Sequence, residues 1–524
     1  MSSCQQATRS RRSSIAIAPK LTPTMELDSV SPLLLCVTLS LSFAASLLLL
    51  LRHNHGRGSK APPPPGPPPL LFLAKFFALR RSIFGLAPLL VDLHARHGPV
   101  ISVRLFRRTL VFVADRHVAH RALVQGGTTF ADRPPPVDPG RMFSAGGRNI
   151  SSSPYGPYWR LVRRNLASET LSPMRVGLFA AARRQACDGL FDSVLRACRR
   201  QGTVTVRPLL RRAMFELLVY MCFGARLGQD ALDEVEELQH QVLLGVTTFP
   251  LFAFFPPVTK RLFSRRWASY LAVRRRQEEV FVPLIHAARN PDGPPCYAGS
   301  LLAIRVADEG ERPLTDAEMV SLCSEFLNGG TDTTVTLLEW IMAQLVNRPD
   351  IQAKVYEEVS ARRELNDSDV QAMPYLKAVV LEGLRLHPPS HFVLPHGVRS
   401  DANLGGYSVP RGAELNFLVA EIGRDATMWT APWEFRPERF LNGGEGHGTD
   451  ITGSREIKMM PFGAGRRMCP GYSLGMHHAE YFVARLVREL EWRPTAETEV
   501  DMTEALDFTT VMKHPLRARI IPRC

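Results

Sequence analysis

Apolar residues first cluster in Leu33–Leu51, nineteen residues without a charge, about the length a helix needs to cross a bilayer. A basic stretch, Arg52–Lys60, follows, and then Ala61–Pro69, almost all proline, which favours extended geometry and cannot form a helix. Two β-type runs come next, Val100–Leu105 and Thr109–Val113, reading as a hairpin around Phe106-Arg107-Arg108. From there to about residue 390 the apolar spacing is helical. Strand signals return at 393–420, where Tyr407–Val409 and Leu415–Phe417 flank the turn Pro410-Arg411-Gly412, and a last long helix is expected over about 472–490. No internal repeat and no phosphate-cradling GxGxxG is found. The pattern predicts a mainly α body with small β-sheets and argues against a nicotinamide or flavin domain of its own.

These changes divide the chain into an extension (1–32), an anchor (33–51), a basic and proline-rich hinge (52–69) and a body (70–524). A cleaved signal peptide would usually have a shorter apolar region ending in a small-residue cleavage site, so an uncleaved anchor is favoured. The basic flank reads as a cytosolic stop-transfer signal. Residues 1–24 carry four basic side chains and no acid, which resembles a transit peptide. With Met25 as the start, Glu26 and Asp28 would precede the anchor and the charge asymmetry becomes clean; Met1 and Met25 both stay open.

At 524 residues, 45% hydrophobic and 22% charged, the chain has a globular composition. Its net charge of +14 suits anionic lipid or an acidic protein partner. Nucleic acid is disfavoured, because the basic residues are scattered and no basic run is interleaved with aromatics. Nine cysteines form no C-x-x-C pair, and an odd count in a long chain argues for a reducing compartment.

One cysteine lies in unusual company. Residues 461–471, PFGAGRRMCPG, are poor helix and poor strand, so the backbone must bend tightly there. A helical pattern opens at Tyr472, which puts Cys469 near a helix N-terminus where a thiolate is stabilised. Upstream, Thr315 and Glu318 form a capping box for a helix over 314–345 with Met319, Leu322, Cys323, Phe326 and Leu327 in helical register. Its middle holds Gly329-Gly330-Thr331-Asp332-Thr333-Thr334, and two glycines in a helix imply close backbone approach or local opening. Asp332 and Thr333 stand about 100° apart on a regular helix, so they share one site only if it opens. Glu382 and Arg385 share a face of a helix between Pro374 and Pro388, as do Trp159 and Arg163 after Gly156-Pro157.

The pattern Phe462-Gly463-x-Gly465-x-Arg467-x-Cys469-x-Gly471 resembles the haem-binding signature of the cytochromes P-450. Leu381-Glu382-Gly383-Leu384-Arg385, Pro437-Glu438-Arg439-Phe440 and the 329–334 segment follow in that family's order, and the likeness covers residues 70–524. FADRP (130–134), YGPYWRLVRRNL (155–166) and LCSEFLNGGTDTT (322–334) look like plant A-type members, in particular the family numbered eighty-nine. Gly329 departs from the commoner alanine.

The resemblance implies a haem-thiolate monooxygenase with haem b between a long distal helix and a proximal cysteine loop. By it, Cys469 is the iron ligand; Arg467, Phe462, Trp159, Arg163 and, among many relatives, His396 contact the cofactor. Asp332 and Thr333 would deliver protons to oxygen, and Glu382, Arg385 and Arg439 would form a buried structural triad. It further implies O2, a hydrophobic small-molecule substrate and electrons from NADPH through a separate reductase docked near Arg160, Arg164 and Arg466. Pocket candidates are the 130–155 loop, Phe326, Phe392, Val393 and Phe508–Val511. Like microsomal members, the chain would sit in the endoplasmic reticulum membrane, with a plastid as the alternative if residues 1–24 act as a transit peptide. Two rivals remain: a hydroperoxide isomerase or dehydratase on the same fold, and a non-catalytic haem protein. Retention of Asp332 and Thr333 argues against both.

Overall fold

The computed structural model describes residues 61–69, 71–72, 74, 86–105, 108–289, 294–495 and 499–523. The expected extension and anchor, the basic half of the hinge and the hairpin tip Phe106-Arg107 lie outside the described residues. Among those described, no helix is long and apolar enough to cross a membrane.

Strands β1 (Val100–Leu105) and β2 (Arg108–Val113) pair antiparallel, Val100 opposite Val113, and Leu110–Val113 is buried throughout. The site is built on six helices: α1 (Pro157–Glu169), α2 (Val206–Phe223), α3 (Gln229–Thr247), α4 (Asp316–Asn347), α5 (Pro374–Leu386) and α6 (Tyr472–Glu489). Strands β3 (His396–Gly397) and β4 (Glu414–Phe417) complete one sheet in the order β1-β2-β4-β3, with β4 parallel to β2.

Helix α4 runs through the centre. It starts where the sequence requires: the Thr315 hydroxyl accepts from the Glu318 N–H at 3.2 Å, and the Glu318 carboxylate accepts from the Thr315 N–H at 2.8 Å. Such a cap contributes about 1 kcal/mol. Nearly every α4 side chain from Met319 to Val346 is buried, and the indole of the fully buried Trp340 donates to the Thr510 carbonyl at 2.8 Å. The two glycines have different surroundings. A Cβ on Gly330 would lie 2.9 Å from Leu218, so that glycine lets α2 approach, whereas a Cβ on Gly329 would meet nothing within 4 Å.

Of the two alternatives for Gly329-Gly330, close backbone approach or local opening, the structure takes the first: helix α4 is uninterrupted, and α2 packs closely against Gly330. Two features depart from the sequence expectation. Tyr407–Val409 turns back onto Ala402–Leu404, while Leu415–Phe417 joins the large sheet, so the turn at 410–412 closes no hairpin. The proline run is bonded to the body: Ser102 donates its N–H to the Pro65 carbonyl and its hydroxyl to that of Pro64, each at 2.7 Å, and the Ser408 N–H donates to Pro62 at 2.8 Å. A three-stranded sheet of Leu490–Pro494, Arg517–Pro522 and Val204–Thr205, and a hairpin of Glu504–Leu506 with Thr510–Met512, were not foreseen; apart from the six-residue Arg517–Pro522, their runs of two to five residues are too short for a periodic signal.

Candidate functional site

The cysteine loop turns where the sequence demanded. Gly465 has φ +68°, and a Cβ there would lie 1.9 Å from the Leu123 carbonyl oxygen, so a side chain is excluded on both counts. The Cys469 N–H donates to the Phe462 carbonyl at 2.8 Å, which closes the loop, and α6 begins three residues later with Gly471 at its cap. Among protein groups alone, burial pushes the Cys469 thiol up, while the Gly471 N–H and Arg163 pull it back. The half-buried Phe462 ring leans on Tyr472, centroids 6.3 Å apart.

Around this loop stand three guanidinium groups. Arg467 donates to the carbonyls of Ala131 (2.7 Å), Ile150 (3.1 Å) and Ser153 (2.6 Å) and lies 4.4 Å over the Trp159 ring. Arg133 donates to Ser151 (2.8 Å), Leu394 (2.9 Å) and Pro395 (2.8 Å). Arg163, on α1, donates to the Met468 carbonyl at 2.5 Å. Their partners are neutral carbonyls. Burial depresses all three, Arg133 to about 9 and Arg467 to about 10, and neighbouring guanidiniums add to this at Arg133 and Arg467. Among the described residues, the carboxylates that oppose Arg133 and Arg467 are Asp132 and Glu325, and Asp132 is shared with Arg399 at 3.6 Å. Trp159 donates to the Ile150 carbonyl at 3.2 Å, and His396 Nδ1 lies 2.7 Å from the Phe130 carbonyl. Burial, with Arg133 adding to it, holds His396 well below the ordinary imidazole range, so it is neutral. This cradle of cations beside a half-buried thiol fits a dianionic, thiolate-ligated cofactor: the anion supplies the charge the guanidiniums lack.

Helix α4 carries the acid and the alcohol. The Thr333 hydroxyl donates to the Gly329 carbonyl at 2.6 Å. Asp332 turns elsewhere: one carboxylate oxygen is paired with Arg211 of α2, and the other is buried with no partner among the described residues. Burial raises the Asp332 carboxyl, against Arg211 and His240. The uninterrupted helix therefore does not bring Asp332 and Thr333 to one point.

Glu382, Arg385 and Arg439 come together with side chains fully buried. Arg385 forks onto Glu382 at 2.7 and 2.8 Å, and Arg439 reaches the same carboxylate at 3.2 Å. A second acid, Glu445, pairs with Arg439, and the remaining donors go to the Gly423, Pro432 and Ala431 carbonyls.

The sequence reading missed Arg133, Glu325, Arg211 and Glu445. Arg133 and Glu325 stand inside phrases it quoted, and an acid within an apolar helical run was the available signal for Glu325. Of the pocket candidates, Phe326 packs on Tyr297 at 5.3 Å within the main core. Arg160 and Arg466, both exposed, meet over the Tyr155 ring at 5.8 and 5.5 Å.

The sequence profile of the family described as Cytochrome P450 matches residues 64–522. The chain is 44% identical over 449 residues to Cytochrome P450 89A9 of Arabidopsis thaliana, covering 82% of this chain and 88% of that one. It is 31% identical to Cytochrome P450 98A1 of Sorghum bicolor and 30% identical to the Flavonoid 3'-monooxygenase of Arabidopsis thaliana, each over 82% of this chain and 86% of the relative. A zebra fish cytochrome P450 solved with abiraterone superposes with TM-score 0.69 at 23% identity, over 83% of this chain and 99% of that one.

Proposed function

This chain belongs to the cytochrome P450 family and is a haem-thiolate monooxygenase most like family 89; from that premise we propose that it inserts one oxygen atom of O2 into a hydrophobic small molecule, with electrons from NADPH passed through a separate reductase. One observation carries the reading: the Cys469 thiol lies in the field of Arg163, and Arg163, Arg133 and Arg467, bonded to neutral carbonyls, gather around the same cysteine loop.

When bound, haem supplies the oxygen-activating and C–H-oxidising chemistry, and a thiolate ligand favours O–O cleavage. Cys469 would ligate the iron, with the Gly471 N–H supporting its charge. Arg467, Arg163 and Arg133 would hold the propionates, with Trp159 fixing the Ile150 carbonyl and His396 the Phe130 carbonyl. Phe462 would shield the sulfur side from water. Thr333, whose hydroxyl is steadied by Gly329, would hold a proton at the distal face. Asp332, raised by burial, would carry protons inward from the Arg211–Glu236 side once it leaves Arg211. The buried Glu382–Arg385–Arg439 triad would hold the frame behind the cofactor.

The exposed cations Arg160, Arg164 and Arg466 suit an acidic reductase surface. Apolar Phe392 and Val393, and relatives named Flavonoid 3'-monooxygenase, Trimethyltridecatetraene synthase and Costunolide synthase, support a hydrophobic organic substrate. The same reading places the protein in the endoplasmic reticulum membrane through Leu33–Leu51, with the body, bonded from Pro62 onward, on the cytosolic side. Two measurements test it. Cys469→Ser should abolish the thiolate-type absorption of the reduced, carbon-monoxide-bound protein, and a normal band would remove Cys469 as ligand. Product formation should require NADPH and reductase; turnover of a hydroperoxide without either would favour the isomerase reading.

A further inference from the structure

We propose that Glu325 is a positioning residue of the cofactor cradle: one carboxylate on α4 that holds the 150–153 segment, and through it Arg133 and Arg467, in place for an anionic group. The inference rests on the cradle being the propionate site.

Glu325 lies on a partly open stripe of a helix that is mostly buried. Glu325, Gly329 and Thr333 are spaced four residues apart, so they share one face, and all three retain exposure while their α4 neighbours Ser324, Phe326, Leu327 and Asn328 are buried. From this stripe the carboxylate accepts the N–H of Ile150 at 2.8 Å, the N–H of Ser151 at 2.6 Å and the Ser151 hydroxyl. Both oxygens act only as acceptors, the arrangement of an ionised carboxylate. The peptide groups it grips present their carbonyls to the cradle. Ile150 accepts from Trp159 and Arg467, Ser151 from Arg133, and Ser153 from Arg467. Two of the three guanidiniums are thus held by a segment that Glu325 holds.

Charge makes the same connection. Glu325 lies in the field of Arg133, Arg163 and Arg467, and with Asp132 it offsets their repulsion. Burial pushes its carboxyl up, and the bonds from Ser151 and Ile150, with the nearby Arg133, pull it back. A residue that only propped a loop would need the hydrogen bonds and not the charge.

The test uses the full-length haem-loaded protein with Glu325→Ala, Glu325→Gln and Arg467→Gln. Haem transfer to apomyoglobin and the midpoint reduction potential are measured for each. Glu325→Ala should lose haem about tenfold faster or more, since charged hydrogen bonds of this kind are strong. Glu325→Gln keeps an accepting oxygen, so its haem loss should fall between Glu325→Ala and the unaltered protein. Both Glu325 variants should shift the potential positive by similar amounts, because the same negative charge has gone. An unmoved potential in Glu325→Gln overturns the proposal and leaves a loop prop. Unaltered haem retention in Glu325→Gln overturns it as well, and that variant decides alone if Glu325→Ala does not fold. If the Glu325 variants match the unaltered protein while Arg467→Gln loses haem, only Glu325 is misassigned. If Arg467→Gln also retains haem, the cradle reading falls, and the Glu325 inference with it.

Discussion

Two groups of arginines, one fully buried and one half-buried, make opposite use of the same side chain. At the end of α5, Arg385 and Arg439 share Glu382, Arg439 also has Glu445, and their other donors are taken up by carbonyls. In the cradle, Arg133, Arg163 and Arg467 have carbonyl partners but no carboxylate bonded to them; burial loosens their hold on protons, and repulsion adds to it at Arg133 and Arg467. A buried cation that is fully paired is part of the frame. One that is hydrogen-bonded but left short of negative charge is ready for an anion. The distinction lies in the partners, and it can be broken by experiment.

The largest effect should come from the paired group. Glu382→Ala leaves two fully buried guanidiniums with only Glu445 opposite, and removing one partner of a buried pair costs about 3–5 kcal/mol. Denaturant unfolding should show that loss, or soluble protein should disappear. A stable Glu382→Ala protein that merely lacks haem would erase the distinction between the two groups.

Asp332 is an intermediate case, one oxygen paired with Arg211 and the other buried without a partner among the described residues. If the free oxygen is what moves protons, Asp332→Asn should slow turnover about 10²–10⁴-fold with normal haem content. Thr333→Ala should instead keep consuming NADPH while releasing hydrogen peroxide in place of product. Parallel measurement of NADPH, peroxide and product separates them, and a fully coupled Thr333→Ala would make that residue mere helix structure.

For the cradle, Arg133→Gln should leave apoprotein unfolding nearly unchanged and weaken haem retention by about 10–100-fold, the worth of one charged hydrogen bond. Loss of apoprotein stability without loss of haem would move Arg133 to the structural group.

The smallest effect concerns a buried charge of neither kind. Glu480, on α6, is buried, and its carboxyl is pushed up to about 7 by burial, with only Lys377 pulling back. Because the folded carboxyl holds its proton above the ordinary value of 4.5, the folded state binds more protons than the unfolded chain between these values. Stability should therefore fall as pH rises from about 4.5 through about 7. Glu480→Gln should flatten that slope and stabilise the protein at pH 8 by about 1–3 kcal/mol. An unchanged slope in denaturation curves across this window would show that Glu480 finds a partner in solution.

Local chemistry decided what the sequence made legible. The glycine loop before Cys469, the Thr315–Glu318 cap, the β1–β2 hairpin and helices α1, α4, α5 and α6 are set by short-range sterics and periodicity, and they stand at the residues expected. What the sequence could not carry was partnership between distant segments. Arg133 meets Arg467 across 334 positions of chain, Asp332 finds Arg211 on another helix, and Glu325 grips peptide groups 174 and 175 residues away. Two adjacent glycines left close backbone approach and helix opening both open, and only the packed structure shows that Leu218 takes the space beside Gly330 and leaves Gly329 free of such a neighbour. Backbone preference acts over a few residues and is written in their order; charge balance inside a folded body is a sum over whatever the fold brings together, and no single stretch of sequence contains it.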